Sequence, residues 1–276
     1  MPHPVNQDPA NSTSDELSTA EAQAAANAQA QIELHKKLAP RYQLRYAFEF
    51  SRLFEHDWHA EILSHIPDGP GLVMDLGCGT GLFLADILEA GESGVGVDIS
   101  HAMLSVGRSA LPDAMLLTGD AEHLPVDSGS FKAVVCKGSL HHARNHEAFI
   151  SNSAKILDDR GLLVMSEPCN DNPLIRFARW MLYRNSEHFD EGDQGFKRRD
   201  LVELYQRGGF EVTKVKKYGF LAYALCGFPD HIGIMRYIPG STQLTKLFIA
   251  IDRVVCAIPG LSMLAFQLIV VGKPKR

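Results

Sequence analysis

The chain has 276 residues, a length that suits one large α/β domain or two small ones. Its 27 Lys and Arg against 33 Asp and Glu give a formal net charge of −6, which argues against a general attraction to nucleic acid. The five Cys are scattered without a CxxC pair. They argue against a disulfide scaffold and a structural zinc site, and they favour reduced thiols in a cytoplasmic compartment.

The N-terminal quarter of the chain is predicted to precede the main domain, with its aromatic part packed on that domain. Residues 1–17 are rich in Pro, Asn and Ser and predict a disordered tail. Residues 18–66 predict a helical region, first Ala-rich and then aromatic. The N-terminus lacks the basic start and apolar core of a signal peptide, and no apolar run reaches the length of about 20 residues that a membrane span needs.

Residues 67–276 predict one domain in which strands alternate with helices. Apolar runs predict strands at 72–76, 94–97, 114–118, 132–137 and 162–166, separated by helices at 80–90, 102–110 and 145–157. This alternation indicates an α/β fold with a doubly wound, Rossmann-like parallel sheet. Residues 158–161 are expected to form the turn that leads into the fifth strand.

The regular alternation of strands and helices ends after the fifth strand. We expect helices at 172–184 and 197–207, a polar loop at 185–195, and two last strands at 210–218 and 264–271. About forty residues separate these strands, far more than a hairpin needs. Segments 169–197 and 219–260 are therefore interpreted as insertions that cap a substrate site. The second contains apolar side chains suited to an apolar acceptor, or to a core of extra helices: Phe220, Tyr223, Phe228, Ile232, Ile234, Met235 and Tyr237.

A glycine-rich loop joins the first strand to the next helix. Gly77, Gly79 and Gly81 stand at alternate positions, so a ligand can lie against the backbone at the helix N-terminus. Three ligands compete: a nucleoside triphosphate, a dinucleotide and S-adenosylmethionine (SAM). The first requires a Lys followed by Ser or Thr, which the chain lacks after Gly81. The second has a third glycine where this chain has Leu82.

Two acids at later strand ends bear on this choice. Asp98 ends the second strand, where a carboxylate can bind ribose hydroxyls of SAM or of NAD. Asp120 ends the third strand, from which a carboxylate can reach the amine of an adenine. Taken alone, Asp98 is better explained as a helix-capping acid and Asp120 as a turn residue.

Four motifs together carry a resemblance: V-M-D-L-G-C-G-T-G, V-G-V-D-I-S, G-D-A-E-H-L-P and S-F-K-A-V-V. They resemble class I SAM-dependent methyltransferases, specifically the small-molecule group with the ubiquinone/menaquinone, secondary-metabolite and glycan methyltransferases. The resemblance covers roughly residues 70–168 and the last two strands. One departure is the Asp-Asp-Arg-Gly at 158–161, where the family has Lys-Pro-Gly-Gly.

The resemblance implies a seven-stranded sheet whose last strand is antiparallel and lies between strands five and six. It also implies SAM as the cofactor. The sequence shows no set of acids placed to hold Mg²⁺, so no metal is expected. The family's roles are carried over position by position. The motif residues of the first strand and loop would then bind the methionine end of SAM. Asp98 with Ile99 would bind the ribose, and Asp120 with Ala121 would bind the adenine. Lys137 would contact the methionine end through its backbone. The first-strand and loop residues are Asp75, Gly77, Cys78, Gly79 and Gly81.

A general base is needed only if the acceptor must lose a proton. Candidates for this catalytic role are His141 and His142 after the fourth strand, Glu167 at the end of the fifth, and His188 in the polar loop. Each also has a plain structural reading: a hydrogen-bonded core histidine, a buried acid or a solvated loop residue.

The sequence thus predicts transfer of a methyl group from SAM to a small molecule, with oxygen favoured over carbon or nitrogen. The acceptor is expected to be apolar, aromatic, or linked to a lipid or glycan, as in metabolite, quinone-like or glycan biosynthesis. No nucleic-acid partner is expected, and membrane contact is at most peripheral, near residues 247–258; a homodimer is compatible. The alternative is a homologue that binds SAM or a nucleotide without transfer, as a regulatory or partner subunit. NAD-linked oxidoreduction is a third reading.

Overall fold

The computed structural model describes residues 47–124, 126–127, 129–183, 195–229 and 232–275. Three expected segments lie outside these residues. They are the tail at 1–17, the part of the region 18–66 that precedes residue 47, and most of the polar loop. The strands are β1 (Leu72–Leu76), β2 (Ser93–Asp98), β3 (Met115–Thr118), β4 (Phe131–Lys137), β5 (Leu157–Pro168), β6 (Phe210–Tyr218) and β7 (Gln267–Pro274).

Eight α-helices surround this sheet in the described part of the chain. They are α1 (Glu49–Leu63), α2 (Leu82–Glu89), α3 (His101–Ala110), α4 (His146–Ile156), α5 (Pro173–Tyr183), α6 (Arg198–Arg207), α7 (Leu221–Cys226) and α8 (Ser241–Ala257). Short 3₁₀ turns cover Leu140–His142, Gly233–Tyr237 and Leu261–Leu264. Among the described residues, no helix is long and apolar enough to cross a bilayer.

The sheet has the predicted topology. Its strand order is β3-β2-β1-β4-β5-β7-β6; β7 is antiparallel to both of its neighbours, and the first five strands are parallel. The order reverses between β1 and β4, and such a reversal opens a crevice at the carboxyl ends of the strands. The glycine loop and the turn after β4 both lie at this crevice.

Two predicted strand boundaries were wrong. Residues 158–161 do not form a turn before β5. Leu157 already pairs with Phe131, and Leu162 pairs with Ala133, so the residues between them are an irregularity inside the strand. The last strand begins at Gln267 rather than at 264, because the residues before it form a 3₁₀ turn.

Helix α1 packs one side on the sheet. Phe54, Trp58 and Ile62 recur every four residues and are buried in the main core. The indole Nε1 of Trp58 donates a 2.9 Å hydrogen bond to Ser166 Oγ on β5. This predicted aromatic helix therefore forms part of the folded domain next to β4 and β5.

The segment between β6 and β7 is helical in pieces, as predicted. Its apolar residues, however, have divided roles. Tyr223, Phe228 and Met235 are buried in the core that also holds α1, whereas Ile234 and Tyr237 are exposed. The buried three explain how the insertion packs, so the expectation that they line an acceptor pocket gives way to a core role.

Candidate active site

The glycine loop follows β1 and turns back against β2. The N–H groups of Gly77 and Cys78 donate to the carbonyl of Val97, at 2.8 and 3.1 Å. Gly77, Gly79 and Gly81 have φ values of 78°, 55° and 79°, in the left-handed region that favours glycine. This backbone places the loop at the N-terminus of α2, where the positive end of the helix dipole favours a polar or anionic ligand group.

Gly77 and Gly79 differ in what lies beside them. A Cβ on Gly77 would lie 2.3 Å from Ser139 Oγ, so the loop packs directly on the turn after β4. A Cβ on Gly79 would meet nothing nearer than the methyl carbon of Met103, at 3.9 Å. Gly77 is thus required by close packing, whereas the space at Gly79 is open to a ligand.

Asp98 organises the loop. Its Oδ2 accepts a 2.8 Å hydrogen bond from Gly79 N, and its Oδ1 accepts one of 2.7 Å from Ser100 N. Ser100 then caps α3 by accepting a hydrogen bond from Met103 N. A carboxylate has about four acceptor positions, so Asp98 can hold the loop and still accept from ribose hydroxyls. Ile99 is half-buried beside it.

Asp120 belongs to an ionic cluster after β3. Its Oδ2 bonds to the guanidinium of Arg144, and its Oδ1 accepts from the backbone of Glu122 at 2.9 Å. Glu122 Oε1 in turn accepts from the backbone N–H of Arg144 at 2.8 Å. Asp120 is 29% exposed and Ala121 is half-buried, so this cluster meets solvent at the crevice.

Asp75 is a buried acid with unused hydrogen-bonding capacity. Its Oδ2 has no hydrogen-bond partner among the described residues. Burial raises the pKa of Asp75 to about 7; the nearby Asp98 adds to this rise and Lys137 opposes it. A bound group with a positive charge would compensate this carboxylate. The α-ammonium of SAM is such a group, so the residues present fit the methionine end.

Lys137 ends β4 and turns its side chain toward α1. Its Nζ bonds to Glu55 Oε2 and lies 2.7 Å from His59 Nε2. The other ring nitrogen of His59 lies 2.6 Å from Asp86 on α2. Burial, reinforced by Lys137, lowers the pKa of His59 to about 4, so this ring is neutral at physiological pH. The side chain of Lys137 therefore joins α1 to the crevice, and its backbone is what remains for the predicted cofactor contact.

His141 and Glu167 form a hydrogen-bonded pair beside the loop. His141 Nδ1 lies 2.7 Å from Glu167 Oε2. Glu167 is fully buried, and its Oε1 accepts from the backbone N–H groups of Ser139 and Leu140 at 3.2 and 2.9 Å. Ser139 Oγ also donates to the carbonyl of Leu76 at 2.9 Å, which ties this turn to the end of β1. The carboxyl ends of β1, β4 and β5 thus meet at the turn after β4.

The other candidate bases are placed differently. The ring of His142 lies against that of His141, with centroids 4.1 Å apart. His146, which the motifs do not indicate, begins α4 and is electrostatically coupled to both His141 and Glu167; burial lowers its pKa. His188 lies outside the described residues, so its role stays a prediction.

A separate cavity of about 390 Å³ lies between α1, the end of β6 and α8. Phe54, Tyr218 and Ile249 form part of its apolar wall, and Asp57 and Arg253 are among its charged residues. Trp58 stacks on Tyr218, with centroids 5.9 Å apart, and Lys137 Nζ lies 4.6 Å from the centre of the Trp58 ring. The aromatic pair therefore stands between this cavity and the crevice.

Several site residues have no motif that marks them. Glu55, His59 and Arg144 come from segments that read as a helix face and a loop. A signal for the first two exists: Ser51, Glu55 and His59 recur every four residues, and all three are buried. Arg144 has no comparable signal. Within the described residues, no group of three or more His, Cys, Asp or Glu could hold a metal ion.

Comparison with known proteins identifies the domain. Residues 74–165 match the family model described as a methyltransferase domain. A demethylmenaquinone methyltransferase from Symbiobacterium thermophilum is 27% identical over 207 residues, which are 71% of this chain and 78% of that one. Another from Beutenbergia cavernae is 33% identical over 111 residues. That match spans 40% of this chain and only 46% of the relative.

A solved structure supports the same fold. It is a SAM-dependent methyltransferase from Thermotoga maritima, described as a possible histamine N-methyltransferase. It superposes with a TM-score of 0.60 at 17% identity and covers 88% of this chain and 99% of its own. Domain match, relatives and sheet topology agree. Residues 74–165 therefore form a methyltransferase domain in a sheet with the class I SAM-dependent methyltransferase fold, and SAM is the cofactor that this domain implies.

Proposed function

We propose that this methyltransferase acts on a small apolar molecule with an ionisable hydroxyl group, such as a phenol or quinol. The observation that carries the proposal is the hydrogen bond of 2.7 Å between His141 and the buried Glu167. A histidine held in this way by a carboxylate is suited to accept a proton. Phenol-type hydroxyl groups are acceptors that must lose one.

Each residue of the pair has a distinct role. With Glu167 as a carboxylate, the N–H at His141 Nδ1 donates a hydrogen bond to Glu167, so the lone pair on Nε2 remains to accept the proton of the acceptor hydroxyl. Glu167 is fully buried and occupied by the turn at Ser139 and Leu140, so it acts as a positioning residue. This interpretation moves Glu167 from candidate base to orienting acid.

The residues of the crevice would hold the donor. The loop backbone and Asp75 would bind the methionine end, Asp98 the ribose, and Asp120 the adenine. When bound, SAM supplies a methyl group on a sulfonium sulfur that leaves as a neutral thioether. Proton removal by His141 gives the acceptor oxygen the electron pair that forms the new bond to carbon. The chain then has only to hold the acceptor in line with that methyl group.

Oxygen is the acceptor atom that we expect first. A second candidate is a quinol of the demethylmenaquinone type, which the names of the relatives favour. Loss of the hydroxyl proton also makes the adjacent ring carbon nucleophilic, so the same pair of residues would serve carbon methylation; the methylated carbon then releases its own proton to water as the ring becomes aromatic again. The two candidates share the base and differ in the product: an O–CH₃ ether or a C–CH₃ group.

The test measures labelled methyl transfer from SAM to a panel of phenols and quinols. Comparison of His141→Gln, Glu167→Gln and the control His65→Gln, at the far end of α1, isolates the pair. We expect kcat to fall about 10²–10⁴-fold for His141→Gln, as for loss of a general base, with little change in SAM affinity. The same split is expected for His141→Ala, and for His142→Ala if His142 contributes.

Glu167→Gln separates the proposed roles further. It keeps a side chain that can still accept backbone hydrogen bonds but removes the charge that orients the imidazole. We expect kcat to fall and the pH dependence of kcat to change. If His141→Gln and His65→Gln have equal activity, or if SAM affinity and kcat fall together, His141 is not the base.

A further inference from the structure

Helices α5 and α8 each expose an apolar face. On α8 and at its end, Leu247, Ile251, Val254 and Ile258 follow a spacing of four, three and four residues, and all are exposed. This spacing places them on one side of the helix. Exposed apolar residues also recur on α5, where Leu174, Phe177, Trp180 and Met181 share one side. Single exposed apolar residues are ordinary, but two aligned rows are not.

The two faces lie at the same edge of the sheet as the crevice. Helix α5 follows the carboxyl end of β5, and α8 precedes β7, whose first residue Gln267 pairs with Pro168 at that end. Asn172 Nδ2, just before α5, donates a 3.1 Å hydrogen bond to the carbonyl of Met263. The side chain of Met263 is itself exposed, as is that of Leu261. Residues 261–263 thus link the two helices.

The exposed charges on these helices have one sign. They are Arg176 on α5 and Lys246 and Arg253 on α8. The one acid of α8, Asp252, is buried and accepts hydrogen bonds from the backbone at the start of α7. Lys246 and Arg253 are seven residues apart and so flank the apolar row on the same side. Arg253 also bonds to Asp57 but stays 69% exposed. A chain with a net charge of −6 therefore presents a basic rim at this surface.

We propose that this surface, formed by the exposed rows of α5 and α8 with residues 261–263, docks on an anionic lipid bilayer. Helices with an apolar face, aromatic residues and basic flanks lie in the plane of the interface. Phe177 and Trp180 stack with centroids 5.6 Å apart and supply the aromatic component. Docking brings the crevice edge to the membrane, where an apolar acceptor would be concentrated. Binding of this surface to a bilayer does not depend on the acceptor, so it is tested separately from the proposed function.

The experiment is sedimentation of the full chain with vesicles of phosphatidylcholine, with and without phosphatidylglycerol. We expect binding to the anionic vesicles that weakens as salt rises. Val254→Glu is expected to weaken it about tenfold, since it replaces an apolar contact by a charge. Met115→Glu on β3 is the matched control, because Met115 and Val254 are 57% and 59% exposed. Lys246→Glu should weaken binding to anionic vesicles only.

Three results would overturn the proposal. The first is the absence of binding to anionic vesicles by the wild-type chain. The second is an equal effect of Val254→Glu and Met115→Glu. The third is a dimer in the absence of lipid that Val254→Glu dissociates while vesicle binding is unchanged, which would assign the surface to a second copy of the chain. Sedimentation velocity measures this state, and unchanged SAM affinity shows that the variants are folded.

Discussion

At the scale of single residues, Asp75 shows how a binding site can cost stability. Its carboxylate is buried with one oxygen unpartnered among the described residues, and burial raises its pKa to about 7. Because this value lies above that of an exposed Asp, protonation favours the folded state. The stabilisation is present below about pH 4 and is lost as pH rises toward 7. A cation such as the ammonium of SAM would restore it.

We therefore predict that Asp75→Asn stabilises the ligand-free protein at pH 8, by on the order of 2 kcal/mol or more, and by clearly less at pH 5. Urea unfolding at the two pH values measures this difference. The same variant should bind SAM more weakly. Glu89→Gln removes a charge from an exposed position on α2 and serves as the control. Equal stability of Asp75→Asn and wild type at pH 8 would show that the buried carboxylate does not destabilise the folded protein.

At the scale of elements, α1 is part of the site and not an appendage. Trp58 bonds to Ser166 on β5, while Glu55 and His59 hold the Lys137 side chain at the end of β4. These contacts join residues about eighty or more positions apart. The helix was predictable from its aromatic spacing, but its polar partners were not, because no local pattern encodes contacts across such a separation.

The Trp58–Ser166 bond gives a direct test of this attachment. We expect Trp58→Phe and Ser166→Ala each to lower the free energy of unfolding by about 1–3 kcal/mol, since each leaves or removes a buried polar group. The double variant should lose less than the sum, because the two groups share one hydrogen bond. Additive losses in urea unfolding would mean that the bond contributes nothing of its own. Arg52→Ala, on the exposed side of α1, controls for changes in helix propensity.

The predictable elements are those with a strong local signal. Strands β1 and β6 have the predicted bounds. The start of β5 was wrong because Asp-Asp-Arg-Gly reads as a turn, whereas pairing with β4 keeps the chain in the sheet. In the site, the glycines and acids follow motifs, but the bonding of His141 to Glu167 depends on two strand ends 26 residues apart.

At the scale of the whole molecule, the sheet order brings the candidate site residues to one edge. The glycine loop, Asp98, Asp120 and the His141–Glu167 pair all follow the carboxyl ends of parallel strands. The antiparallel β7 returns the chain to that same edge. The segment before β1, the segment after β5 and the segment between β6 and β7 therefore surround the crevice in which the motif residues lie. The topology places the proposed donor site at this edge, and we propose that these surrounding segments select the acceptor.

The most direct test of the central claim is a calorimetric titration of the full chain with SAM, repeated with Asp98→Ala and with NAD. Asp98 joins the glycine loop to α3, so its loss removes both the proposed ribose contact and the bond to Gly79 N. We predict one SAM per chain, at least tenfold weaker binding by Asp98→Ala, and no competition from NAD. Equal SAM affinity in wild type and Asp98→Ala would contradict the site assigned here, as would tighter binding of NAD than of SAM.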